Sequence, residues 1–175
     1  MVALLGSLWK PTRPFQKEGL FFAVFLILGP GILVNAVLKP NWGRPRPVQV
    51  RSFGGDRDFV AVGLMSRYED SKSFPSGHAA MGFFLMAPGF VLLRRNRRAA
   101  HVFFGLGLIY GGIMGVTRVV QGGHFTSDVI ASGLIVYFTG LALYFAMGFH
   151  RTIPEDAQEV GVEPISVEPQ RRRAA

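Results

Sequence analysis

Four stretches of this chain are continuously apolar, and its charged residues gather between them. The stretches are residues 20–38, 78–93, 99–116 and 129–149, and none contains Lys, Arg, Asp or Glu. A membrane-spanning helix needs about 20 consecutive apolar residues, and each stretch approaches that length. A helix on the surface of a soluble protein would carry a polar stripe at a period of ~3.6 residues, and these carry none. The pattern predicts an all-α integral membrane helical bundle with about four transmembrane helices. The first span is expected to end at Lys39-Pro40, because a proline does not continue a helix. The second is short and contains Pro88, so it begins a little earlier or lies beside a thinned, protein-lined region.

The intervening segments complete the organisation. Residues 1–18 read as an N-terminal interfacial segment anchored by Trp9, and residues 19–150 as the transmembrane domain. Residues 151–175, acidic, proline-containing and without periodicity, read as a disordered cytoplasmic tail. Residues 1–9 are too short for a span and lack the basic leader and small-residue cleavage pattern of a signal peptide. The polar segment from Asn41 to Phe74 is long for a connection, and such loops carry function or are disordered. Arg94, Arg95, Arg97 and Arg98 occupy one short loop, and arginine-rich short loops stay on the cytoplasmic side. Alternating passage then puts residues 39–74 and 117–128 on one extracytoplasmic surface.

Composition changes the picture in two places. The formal net charge is +8 and the pI about 10.6, values that often signal nucleic acid. Here the cations lie at span ends, in one short loop and in a terminal run of Arg171, Arg172 and Arg173. That distribution suits phosphate groups and anionic membrane lipids and excludes a nucleic-acid partner. The chain has no cysteine, which excludes disulfides, thiolate catalysis and cysteine-ligated metal.

Three short motifs carry the chemistry: Lys39-(six residues)-Arg46-Pro47, Pro75-Ser76-Gly77-His78, and Arg118-(five residues)-His124-(three residues)-Asp128. On a helix, His124 and Asp128 share one face a turn apart. A carboxylate accepting the Nδ1 proton fixes the tautomer and frees Nε2 as a nucleophile. Ser76 and Gly77 open a helix, where backbone N–H groups face an anion, and His78 is placed to protonate a leaving oxygen. Lys39, Arg46 and Arg118 form an electrostatic clamp for a phosphoryl group. Each residue alone also fits a plainer role: Asp128 as a helix cap, the cations as side chains reaching for lipid headgroups. The order and spacing of all three motifs favour the site.

The three motifs together resemble those of the type 2 phosphatidic acid phosphatase superfamily. The resemblance covers residues 39–128. It implies that His124 attacks phosphorus to form a phosphohistidine, with Asp128 orienting it. It also implies that His78 serves as acid and then base, while Lys39, Arg46, Ser76, Gly77 and Arg118 hold the phosphate oxygens. No metal or other cofactor is implied. Two features depart from the pattern. Thr117 stands where the third motif usually has Ser, and the chain shows four spans where membrane members commonly show six.

The expected function is therefore hydrolysis of a phosphorylated lipid at the extracytoplasmic membrane surface. The first and third motifs look like those of bacterial lipid A 1-phosphatases, and also like those of undecaprenyl diphosphate and phosphatidylglycerophosphate phosphatases. Arg44, Arg51, Arg57, Arg67 and Lys72 are expected to bind a headgroup with several negative charges. A catalytically silent lipid-binding scaffold is the competing class. It would need the cations but not the histidines. Trp42 reads as an interface anchor, His101 and His150 as lone interfacial histidines, and Asn35 and Pro30 as helix-packing residues. The sequence leaves the oligomeric state open.

Overall fold

The computed structural model describes residues 16–66, 68 and 70–151, and these are helical with no strand. The expected interfacial helix around Trp9 and the expected disordered tail lie outside the described residues. Helix α1 is a continuous rod of three windings, Gln16–Leu26, Ile27–Leu38 and Lys39–Trp42. Helix α2 is Gly77–Leu92, α3 is Arg97–Val120 and α4 is Thr126–Ala146. Three of them, α1, α3 and α4, are long and apolar enough to cross a membrane, whereas α2 is shorter. The chain is an integral membrane helical bundle.

The expected break at Lys39-Pro40 does not occur. Ile27–Leu38 is wound in wide π turns, and a regular α-helical turn follows, with Pro40 in its first positions. A proline lacks an amide hydrogen and crowds the carbonyl four residues back. The wider winding shifts pairing to the fifth residue, and Lys39 N donates to Val34 O in that manner. Side chains satisfy further carbonyls: Asn35 Nδ2 donates to Pro30 O at 2.7 Å, and Asn41 Nδ2 to Val37 O at 2.6 Å. The rod ends three residues beyond Pro40, at Gly43, whose φ of 65° is left-handed and favours glycine as a helix terminator. Pro88 is accommodated similarly, since a 3-10 turn at Phe84–Met86 restarts the helix just before it.

Packing near α3 depends on small residues. Gly107, Gly111 and Gly115 recur every fourth position, and a Cβ on them would lie 2.4 Å from Met86, 2.3 Å from Phe83 and 2.2 Å from Val129. Lipid offers no hydrophobic drive for helix association, so close van der Waals contact supplies it, and this stripe seats α3 on α2 and α4. Toward the far end of the bundle, aromatic rings fill the core: Phe21 packs on Phe25, Phe90 and Phe149 with centroids 5.2–6.4 Å apart.

The long segment between α1 and α2 is ordered against the helix ends. Trp42 packs against Phe74 with centroids 4.6 Å apart and the rings tilted by 39°, and its indole N–H donates to Val62 O at 3.0 Å. Trp42 thus ties the loop to α1. Val48 N donates to Gly122 O at 3.3 Å, joining this loop to the α3–α4 connection.

Candidate active site

The end of α1, the start of α2, the end of α3 and the start of α4 meet at one end of the bundle, and each brings one part of the motifs. Lys39 sits half-buried in the last winding of α1, with Arg46, Arg118 and Lys72 as its cationic neighbours. Among the described residues, none of these four cations forms an ion pair with a carboxylate. Like charges gathered without a counter-ion repel one another, and an anion between them relieves the repulsion. Arg118 donates through Nη1 to Gln121 Oε1 at 2.6 Å, while its Nε is enclosed and unpaired.

Both histidines contact Arg118, His78 through its ring and His124 through its amide, which donates to Arg118 O at 3.3 Å. His78 is exposed at the first turn of α2, and Arg118 Nη2 lies 3.1 Å and 3.2 Å from its two ring nitrogens. The fields of Arg118, Lys39 and His124 all reach it. His124 is buried. Its Nδ1 donates to Ser73 O at 2.5 Å, and its Nε2 has no hydrogen-bond partner among the described residues. A backbone carbonyl accepting from Nδ1 leaves the Nε2 lone pair available.

His124 and Asp128 come together as expected, but not within one helix, and Ser73 joins them. His124 precedes the helix, which begins at Thr126 with Phe125 as its N-cap. Asp128 turns back to accept from Phe125 N at 2.9 Å, as an acidic residue at the third helical position commonly does. His124 Nδ1 is consequently 3.8 Å from Asp128 Oδ2, too long for a hydrogen bond. Ser73 links the two groups, its carbonyl accepting from His124 and its hydroxyl donating to Asp128 Oδ2 at 2.6 Å.

Asp128 is fully buried and its other oxygen faces Arg44. Arg44 is not the headgroup-binding cation expected of it. Its side chain is 2% exposed and pairs with Asp128 Oδ1. It also donates to Ser127 Oγ and Val60 O, each at 2.9 Å, and lies 4.4 Å above the Phe125 ring. A buried carboxylate requires such a partner, and the short side chain of Asp128 leaves the loop arginine to come to it. Other loop cations are also engaged: Arg51 pairs with Asp58 at 3.4 Å, and Arg57 donates to Ser71 Oγ. Arg67 lies outside the described residues. Arg46 and Lys72 are exposed.

Ser76 and Gly77 are both buried. The Ser76 hydroxyl accepts from Ala79 N at 3.4 Å and so caps α2, while its amide donates to Asp128 O at 3.4 Å. A Cβ on Gly77 would lie 2.5 Å from Asn35 Oδ1, so Gly77 lets α1 approach the site. Beside His124 a cavity of about 330 Å³ is lined by Val48, Phe53, Val119, Val120 and Phe125. No set of three or more His, Asp or Glu side chains among the described residues is arranged to hold a metal ion.

The family model described as PAP2 superfamily matches residues 19–151. The chain belongs to the PAP2 superfamily. Among curated relatives, it is similar to a lipid A 4'-phosphatase of Francisella tularensis subsp. novicida, 43% identical over 82% of this chain and 65% of the relative. A lipid A 4'-phosphatase of Rhizobium leguminosarum is 32% identical over 81% of this chain and 66% of the relative. A lipid A 1-phosphatase of Rhizobium johnstonii is 34% identical over 63% of this chain and 40% of the relative. This PAP2 chain thus spans about two thirds or less of the lengths of these relatives. No solved structure matches it.

Sequence reasoning brought Lys39, Arg46, His78, Arg118 and His124 to one end of the bundle. It missed Ser73 and the true position of Arg44. The signal for Arg44 was present in Asp128, the one charged residue of an otherwise uncharged helix, since a buried carboxylate needs a cation from elsewhere in the chain.

Proposed function

We propose that this chain is a membrane phosphatase that cleaves a phosphate from a lipid through a phosphohistidine on His124. The observation that carries the reading is the free Nε2 of buried His124 at the same end of the bundle as four cations that have no carboxylate partner among the described residues. In the first step Nε2 forms the N–P bond as the ester P–O bond breaks. The departing oxygen takes a proton from His78. Lys39, Arg46 and Arg118 stabilise the charge spread over the equatorial oxygens. In the second step water attacks phosphorus, His78 takes its proton, and the P–N bond breaks to return neutral His124. A silent scaffold would need the cations but not an unpaired, oriented imidazole.

The apolar cavity beside His124 favours a lipid over a soluble phosphate ester. Within the lipids, a phosphorylated glycolipid of the lipid A class is the best reading. The 4'-phosphate is preferred to the 1-phosphate that the motifs suggested, because relatives named for the 4' position match over more of the chain. The test is phosphate release by the purified chain in mixed micelles. Each added cation–phosphate contact near a membrane surface is worth ~1 kcal/mol. One such contact, from exposed Lys72, should favour lipid A over phosphatidic acid by about fivefold in kcat/KM, and release should persist in excess chelator. Equal turnover of lipid A, undecaprenyl diphosphate and phosphatidic acid would defeat the substrate assignment. Activity lost to chelator and restored by a divalent cation would defeat the mechanism.

The site is further assigned to the extracytoplasmic surface, on the strength of the arginine-rich loop between α2 and α3. Because the chain has no cysteine, single cysteines report sidedness directly. Ser52→Cys and Arg98→Cys both alter exposed positions, and an impermeant thiol reagent on intact cells should label the first alone. Labelling of position 98 but not 52 would reverse the orientation.

A further inference from the structure

The end of the bundle away from His124 holds a second cationic cavity that the proposed reaction does not use. Its volume is about 430 Å³, and Leu93, Arg94, Arg97, His101 and Tyr144 line it. Arg97 and His101 lie one turn apart on α3, so they present one face. Arg97 and Arg118 mark the two ends of the same helix, about 30 Å apart at ~1.5 Å per residue. That is the thickness of a hydrocarbon core, so the cavity opens at the opposite membrane surface.

The rim is built and not merely charged. Arg95 is drawn aside to Glu18 at 3.0 Å, and Arg94 donates through Nη1 to His150 O at 2.6 Å. Arg97 and His101 keep no hydrogen-bond or ion-pair partner among the described residues. Tyr144 supplies an independent sign. It is 6% exposed, yet its hydroxyl has no partner among the described residues and is not among the sealed, unpaired atoms. The hydroxyl is therefore accessible although the ring is buried, and Tyr144 lines this cavity. Cytoplasmic arginines that serve only to orient the chain require neither a cavity nor an unpaired phenol within it.

We propose that this cavity binds a phosphate group, with Arg94 and Arg97 as the charged contacts and the Tyr144 hydroxyl as a hydrogen-bond donor. The group can belong to an anionic phospholipid headgroup or to free phosphate. The test uses full-length protein carrying Arg118→Gln, which weakens the catalytic clamp, in neutral detergent. Thermal stability is followed while phosphatidylglycerol or inorganic phosphate is titrated. The expected result is a saturable rise in Tm whose half-saturating concentration increases about fivefold on adding Arg97→Gln and severalfold on adding Tyr144→Phe. The phenylalanine variant removes one oxygen from a packed ring, and Arg97 is exposed, so both variants should fold. A response to phosphatidylglycerol alone assigns the site to lipid, and an equal response to inorganic phosphate assigns it to the free anion. Titrations unchanged by both substitutions, or no rise with either ligand, overturn the proposal.

Discussion

His124→Ala should abolish turnover and leave no phosphorylated enzyme, whereas His78→Ala should still be phosphorylated by a substrate with a good leaving group. The difference follows from what each imidazole can supply. Nε2 of His124 is the free ring nitrogen of a buried, fixed histidine, whereas both ring nitrogens of exposed His78 lie against Arg118 Nη2. An exposed His78 held 3.1–3.2 Å from Arg118 Nη2 is positioned to move protons, a contribution worth about 10²–10⁴-fold in rate. That contribution matters less when the leaving oxygen is stable as an anion, as in an aryl phosphate. Rapid-quench trapping with radiolabelled phosphate checks this. His78→Ala should accumulate acid-labile, base-stable label on residue 124, because the second step lacks its base. Label on residue 78 of the wild type, or residual turnover in His124→Ala, would exchange or remove the assigned roles.

How far the sequence reveals this molecule depends on the range of the interactions involved. Apolar segments without charge are legible as spans because the bilayer imposes one requirement on every residue in them. The motif residues are legible because phosphate chemistry needs cations and imidazoles at fixed intervals. The course of α1 through Pro40 was not legible, since it depends on a change of winding and on the side chains of Asn35 and Asn41 reaching particular carbonyls. The relay through Ser73 was hidden for a different reason. It uses a backbone carbonyl 51 residues from His124, and a carbonyl carries no residue-type signal. Arg44 looked like a surface cation because it lies in a polar loop among exposed arginines. Only the fold shows the loop pressed onto the α4 terminus, with Arg44 Nη1 donating to Ser127 Oγ at 2.9 Å.

Arg44→Met should therefore destabilise the protein, which a substrate-binding arginine would not do. The substitution keeps most of the side-chain volume but leaves Asp128 buried without its cation. Removing one partner of a buried pair is unfavourable by about 3–5 kcal/mol. For a chain of this size that corresponds to a fall in Tm of about 10 °C. Arg44→Lys should recover only part of the loss. An ammonium cannot reproduce the planar fork that reaches Val60 O, Ser127 Oγ and Asp128 together, nor its stacking on Phe125. The double variant Arg44→Met, Asp128→Asn removes both charges and should regain much of the lost Tm. It should remain poorly active, because Asp128 also holds Ser73 and Phe125 N in place. The pair is then coupled through the fold, and the two single losses are not additive. Thermal unfolding in detergent, with phosphate release measured on the same samples, decides the matter. An Arg44→Met protein with unchanged Tm and a raised KM alone would return Arg44 to the substrate.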